Sequence, residues 1–333
     1  MSQYVGHPAF RQSAPAARAA VKPETTLAVR VQRLARNMWK HRWYYLLLIP
    51  PLTYYLIFRY IPIYNAQIAF KEFFALKGVE GSPWVGFQHF ETFFNSYYFG
   101  QLITNTVFYS AANLVLGLPL AVILALAIHE SQLLRFRSLV QTVAYLPHFL
   151  SWIIMYGLLL AMLAPSSGMF NEVIKSLGGQ PVNFLASPDW FRQVVVSSHI
   201  WKETGWSTIL YLAALLGINP DLYEAAAVDG ASRWRRIWHI SLPGIVPVIV
   251  LVTLLRLGTI LDAGFYMIYA LYSVSVYNVA DIIDTWVYRS GILDFQFSLA
   301  TAVGLFKGVI GLVLIVVANE AAKRFANQSL FGK

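Results

Sequence analysis

The stretch EAAAVDGASRWRRIWHISLP, Glu224 to Pro243, separates two long apolar segments. Upstream runs QVVVSSHIWKETGWSTILYLAALL, 193–216; downstream runs GIVPVIVLVTLLRLGTILDAGFYMIYAL, 244–271. About 20 mostly apolar residues suffice to cross a bilayer as a helix. Both flanks meet that length, so the block reads as a hydrophilic connection between two membrane crossings.

The whole chain supports this class. Of its 333 residues, 57% are hydrophobic and 12% charged, against about 25% charged in a typical soluble domain. No Asp, Glu, Lys or Arg occurs from Thr92 to Ile128 or from Ser138 to Asn171. The expected fold is an all-α membrane protein with six crossings, at about 43–63, 103–128, 139–163, 193–217, 245–271 and 297–319. Pro50-Pro51 should kink the first. The domain reading is a basic arm at 1–42, a membrane domain at 43–323 holding the 219–243 connection, and a tail at 324–333. The chain has no cysteine, which excludes disulfides and thiolate chemistry. A cleavable leader is not expected, because the first forty residues are basic and polar.

Lys and Arg counts set the orientation. Eight lie before Trp43, and Arg135, Arg137, Arg233, Arg235, Arg236, Lys323, Arg324 and Lys333 share their side, sixteen in all. The opposite connections hold five: Lys71, Lys77, Lys175, Arg192 and Arg289. The basic side is cytoplasmic by the positive-inside rule, which places both termini and the Glu224 block there. The net charge of +9 follows from this bias, and nucleic acid is not an expected partner. Within the arm, RVQRLARNMWKHR at 30–42 reads as either a short helix on an anionic leaflet or a tail.

The block itself spells two short helices. Asn219 as cap, Pro220 at the first helical position and Asp221 in the first turn start one, and Asp229-Gly230 ends it. Ser232 caps a second, which Pro243 ends. On that helix Trp234, Ile237 and Trp238 share one face, opposite Arg233, Arg235, Arg236 and His239. One face can seat on the bundle while the other meets the cytoplasm or a protein. The alternative is an amphipathic helix resting at the headgroups.

The order of residues in the block resembles the EAA loop of permease subunits of binding-protein-dependent ABC importers. That pattern is Glu-Ala-Ala, three residues, Gly, nine residues, Ile-x-Leu-Pro, matched here by Glu224, Ala225, Ala226, Gly230, Ile240, Leu242 and Pro243. The resemblance implies a type I importer (MetI-like) fold with a coupling helix between crossings four and five. The coupling surface it implies also takes in Asp229, Arg233 and Arg236. It implies partners too: a second six-span permease subunit, a dimer of cytoplasmic ABC ATPases and an extracytoplasmic solute-binding protein. ATP and Mg would be held by the ATPase, with no cofactor on this chain, which would be a transport subunit and not an enzyme. The implied location is the bacterial inner membrane. IYNAQIAFKEF, SPWVGFQHF, QTVAYLPHFLSW and ADIIDTWVYRSGI are similar to the branch importing complex oligosaccharides, including pectin- and alginate-derived ones.

Charges inside the crossings need an account, since each costs roughly 2.5–3.5 kcal/mol on insertion scales. They are Lys202, Glu203, Arg256, Asp262 and Lys307. One reading is a polar translocation route through Lys202, Glu203 and Asp262, with Trp201, Trp206, Tyr211, Tyr266 and Tyr269 as aromatic surfaces for sugar rings. The other is interhelical ion pairing. For Lys307 structural pairing is preferred, and the second permease is one possible source of its partner. Gly304, Gly308 and Gly311 form a small-residue stripe that permits close helix contact. Two other classes compete. A membrane enzyme lacks clustered acids or histidines, and the chain has no G-x-x-x-x-G-K-[ST] phosphate loop. A secondary transporter would use Glu203 or Asp262 for its coupling ion, but leaves the ordered block unexplained.

Overall fold

A computed structural model describes residues 27–131 and 133–326. Among them every extended element is helical; the lone β-type contact is a bridge between Lys71 and Trp84. The chain divides into two units, 1–64 and 65–333.

In the first unit, α1 (Leu27–Lys40) is followed by α2 (Arg42–Tyr55). Helix α2 passes through Pro50 and Pro51, and a widened turn with i→i+5 bonding follows at Leu56–Tyr60. Arg42 lies over the rings of Trp39 and Trp43, at 5.2 and 5.4 Å. No residue of α2 is buried.

The second unit is a helical bundle. After α3 (Gln88–Phe94), α4 (Phe99–Glu130) and α8 (Pro188–Leu216) form its long central pair. Ala121, Ala125, Tyr211 and Leu215 pack between them, and Thr208 donates across the seam to the Ala121 carbonyl at 3.2 Å. The rest comprises α5 (Leu134–Tyr145), α6 (Trp152–Leu163), α7 (Met169–Ser176), α9 (Pro220–Val228) and α10 (Arg233–Arg236), then α11 (Leu242–Leu257), α12 (Phe265–Leu271), α13 (Ile283–Tyr288) and α14 (Phe297–Ala326). Gly205 of α8 lies so close to α5 that a methyl group there would come within 1.9 Å of the Ala144 carbonyl oxygen. Only a glycine permits that backbone approach.

Two expected crossings are broken. The 139–163 segment is a pair of helices, α5 and α6, bent by 106°. Pro147 lacks the N–H a continuous helix needs, a 3₁₀ turn fills Leu146–Phe149, and Ser151 caps α6 by accepting from Ile154 N at 3.2 Å. The 245–271 segment stops at Leu257. Ala263 (φ 49°) and Gly264 (φ 84°) are left-handed and separate α11 from α12. Among the described residues, four helical stretches are long and apolar enough to cross a membrane: Arg42–Phe70, Phe99–Glu130, Arg233–Leu257 and Phe297–Arg324. The bent α5–α6 pair makes a fifth. Helix α8 has the length, but Lys202, Glu203 and its serines and threonines make it the most polar of the long helices.

Candidate coupling surface and polar cleft

The 219–243 block is ordered by its own backbone chemistry. Asn219 Oδ1 accepts from Asp221 N at 3.0 Å, with Pro220 at the first position of α9. At the other end Ala231 N donates to the Ala226 carbonyl (2.8 Å) and Gly230 N to that of Ala227 (3.1 Å). This is a Schellman closure, and it requires the left-handed φ of 72° found at Gly230. Ser232 Oγ then caps α10 through Arg235 N at 3.4 Å.

Pro243 does not end the second helix, contrary to the sequence reading. The chain runs on from Arg233 to Leu257 as one helical stretch. A widened turn at Ile237–Ser241 absorbs the ring and the missing N–H, as i→i+5 bulges do. The tryptophan face differs too. Trp234 and Trp238 are 72% and 62% exposed, whereas Arg236, Ile237 and Ile240 are half-buried. The side toward the bundle is therefore the Arg236, Ile237 and Ile240 side.

The block is fastened at its base. Leu242 and Ile218 pack on the apolar cluster that contains Tyr211 and Ile245. Tyr223 and Ser241 share a hydrogen bond of 3.0 Å, joining the two helices. Outward stand Glu224, Ala225, Asp229, Gly230, Arg233, Arg235 and Pro243, all exposed, with Ala226 and Leu242 half-buried. Among the described residues, Glu224, Asp229, Arg233 and Arg235 form no ion pair.

The second feature is a polar cleft of about 270 Å³, where α4 and α8 face the break between α11 and α12. Its walls include Asn113, His199, Glu203, Arg256, Thr259 and Asp262. In the unwound turn the Ile260 carbonyl accepts from Ala263 N at 3.3 Å and also from Ser110 Oγ. Irregular backbone at membrane depth is tolerated where it lines such a cavity.

The sequence-derived route residues separate here. Glu203 and Asp262 line the cleft. Lys202 is buried and does not: its Nζ donates to the carbonyls of Pro147 (3.3 Å) and His148, filling the break before α6. Tyr211 has no exposed surface and sits in the core. Trp206 stacks on His148 at 4.4 Å with the rings 3° from parallel. Trp201 lines a separate, mostly apolar hollow of about 540 Å³ with Phe184 and Trp190. Tyr266 is 75% exposed, and Tyr269 packs on Phe265 and Tyr288. Asn113, His199, Arg256 and Thr259 escape the sequence reading as route residues. Two signals are usable: Arg256 as an unexplained charge inside a crossing, and the spacing of His199 and Glu203, four apart on one helix face.

Ion pairs account for most of the remaining charge. Glu203 lies 3.1 Å from His148 and 3.8 Å from Lys202. Lys307 finds its partners within this chain, Asp262 at 2.6 Å and Asp284 at 2.7 Å. Gly304, Gly308 and Gly311 face open space in this chain; a methyl group on any of them meets nothing within 4 Å.

At the far end, the 277–285 segment is pinned to α4. Asn105 donates to the Asn278 and Asp281 carbonyls, Tyr109 to that of Val279 at 2.8 Å, and Ile283 N to Thr106 Oγ1 at 3.0 Å. Buried Asp281 pairs with Arg289 at 2.6 Å. Burial disfavours the Arg289 charge, but the Asp281 carboxylate more than offsets this and raises its pKa above the ordinary arginine value.

The model of binding-protein-dependent transport system inner membrane components matches residues 117–327. This chain belongs to that family. It is an integral inner-membrane transport component. It is 41% identical over 300 residues to the polygalacturonan/rhamnogalacturonan transport system permease protein YteP of Bacillus subtilis, covering 90% of this chain and 94% of that one. Identity to the LplB protein of the same organism is 44% over 292 residues, covering 88% and 92%. Among solved structures, it superposes on a bacterial ABC transporter involved in import of the acidic polysaccharide alginate, with a TM-score of 0.82 and 42% identity over 88% of this chain and 99% of that one. A second structure is the alginate transporter in complex with its alginate pentasaccharide-bound periplasmic protein (TM-score 0.83, 41% identity, 90% and 100% covered).

Proposed function

We propose that this chain is the permease subunit of an ATP-driven importer of acidic oligosaccharides. A solute-binding protein delivers the sugar to the outer face. A second six-span permease completes the membrane core, and a pair of cytoplasmic ATPases supplies the energy. ATP and Mg belong to those ATPases. The observation that carries the reading is the 219–243 block: two capped helices, joined by a Schellman turn, present unpaired charges outward from an apolar base. A soluble motor needs such a handle, because a flexible loop would dissipate its stroke. Closing the ATPase dimer would draw on Glu224 and its neighbours and tilt α11, which is continuous with the block. The polar cleft at the top of α11 would then change its exposure. Six crossings with both termini in the cytoplasm follow if α8 counts as the fourth.

The ion-coupled alternative fits less well. Glu203 and Asp262 already have cations beside them, so neither is a free carboxylate for a coupling ion. Reconstitution decides between the two. With the second permease, the ATPases and the loaded binding protein, uptake should require ATP and survive dissipation of ion gradients. Uptake driven by a sodium or proton gradient without ATP would overturn the proposal.

A further inference from the structure

The cleft is unevenly satisfied. Two of its charged side chains, Glu203 and Asp262, have cationic neighbours on the protein. The third, Arg256, has no carboxylate within ion-pair distance among the described residues; its guanidinium donates to the Ser207 hydroxyl and reaches toward α4 at Gly117. A guanidinium offers five donors in a planar fork, and one hydroxyl leaves most of them unused. Two more groups on the same walls are buried without a hydrogen-bond partner: Asn113 Oδ1 and His199 Nδ1. A buried polar atom without a partner is costly. An under-used guanidinium and two side chains with unsatisfied buried atoms, all on the walls of one cavity, describe a site that a ligand completes.

The class of ligand can be read from what each group can bind. Arg256 suits a bidentate anion, Asn113 Oδ1 a hydroxyl that donates, and His199 a hydroxyl of either sense. A sugar ring bearing a carboxylate supplies all three; a neutral ring supplies only the hydroxyls. The volume, about 270 Å³, lies just below the roughly 300–1,000 Å³ of drug-sized sites, which suits one sugar unit of a passing chain. Lys307 is shared by Asp262 and Asp284, so the carboxylates Glu203, Asp262 and Asp284 are matched in number only when Arg256 joins Lys202 and Lys307, and the cleft with its neighbours then carries no net negative charge.

We infer that Arg256 is the residue that selects acidic over neutral sugar, holding the carboxylate of one uronate unit while Asn113 and His199 take ring hydroxyls. This rests on the importer reading above.

The test uses the assembled transporter in proteoliposomes with binding protein in excess. The probes are trigalacturonate and its fully methyl-esterified form, and the readout is maximal uptake rate. Wild type should move the acid faster than the ester. Arg256→Gln should lower the acid rate roughly tenfold or more, as expected for losing a charge-assisted pair, while the ester rate changes little. Arg256→Lys, which keeps charge and loses the fork, should fall between. Asn113→Ala should lower both substrates by similar factors. An acid-to-ester ratio unchanged in Arg256→Gln and Arg256→Lys would overturn the assignment. If neither variant assembles, a wild-type ratio near one would do so alone. A wild-type transporter that carries no acidic oligosaccharide would remove the importer reading beneath it, a separately visible failure.

Discussion

Charges in the 219–243 block stand apart from one another, whereas charges within the bundle are tied together. Glu224, Asp229, Arg233 and Arg235 are exposed and, among the described residues, form no ion pair. Lys307 is held between Asp262 and Asp284, Asp281 between Arg289 and Thr285, and Glu203 between His148 and Lys202. Water solvates the first group at little cost. Lipid does not, and an ion inside the bundle must find its counter-charge there. The same side chain therefore carries opposite meanings in the two regions. An unpaired charge on the block is available to a partner protein. An unpaired charge in the bundle, as at Arg256, is a destabilising feature that a ligand can relieve.

Substitutions that separate the two regions test this contrast. The largest loss of stability is expected inside. Arg289→Met leaves the buried Asp281 carboxylate without its cation, and removing one partner of a buried pair costs about 3–5 kcal/mol. A clear fall in the thermal unfolding midpoint in detergent is expected; an unchanged midpoint would mean that Thr285 alone suffices. Gly205→Ala comes next. Its methyl must push α8 away from the Ala144 carbonyl, and such overpacking costs about 1–3 kcal/mol or more. Gly230→Ala should cost about 1–2 kcal/mol, from left-handed strain alone, since open space surrounds it. Asn219→Ala, which removes the cap on α9, should cost about 1 kcal/mol. The same midpoint measurement ranks all three. Glu224→Lys should change stability least, by less than about 0.5 kcal/mol, yet abolish ATP-driven uptake. Uptake at the wild-type rate in that variant would detach the block from energy transfer.

The two regions also differ in how much of them a reader of the sequence can see. The block is contiguous, and each of its devices sits within a few residues of its partner. Asn219 caps Asp221, Ser232 caps Arg235, and Gly230 closes onto Ala227. Local chemistry of this kind is written in order along the chain. Pro243 misleads because a proline signals a helix end only where no widened turn precedes it, and that turn leaves no mark in composition. The cleft is assembled from Asn113, His199 and Arg256, on three different helices. Nothing local joins them. The breaks in the third and fifth crossings are likewise hidden under long apolar runs, although Pro147 and Ala263-Gly264 sit at the hinges. Intramembrane charges are visible as anomalies, but their partners are not. Lys202 looks like a route residue in the sequence and in the fold bonds the Pro147 and His148 carbonyls at the helix break.

The chain has no cysteine, so a single Ala225→Cys substitution reports on the exposed face of the block without background. The measurement is the reaction of that introduced thiol, in the assembled transporter, within intact cells and inverted vesicles. The expected result is protection from a membrane-impermeant maleimide in cells, labelling in inverted vesicles of the permease alone, and cross-linking to the ATPase when that subunit is present. Labelling of the thiol from the outside of intact cells would contradict the account.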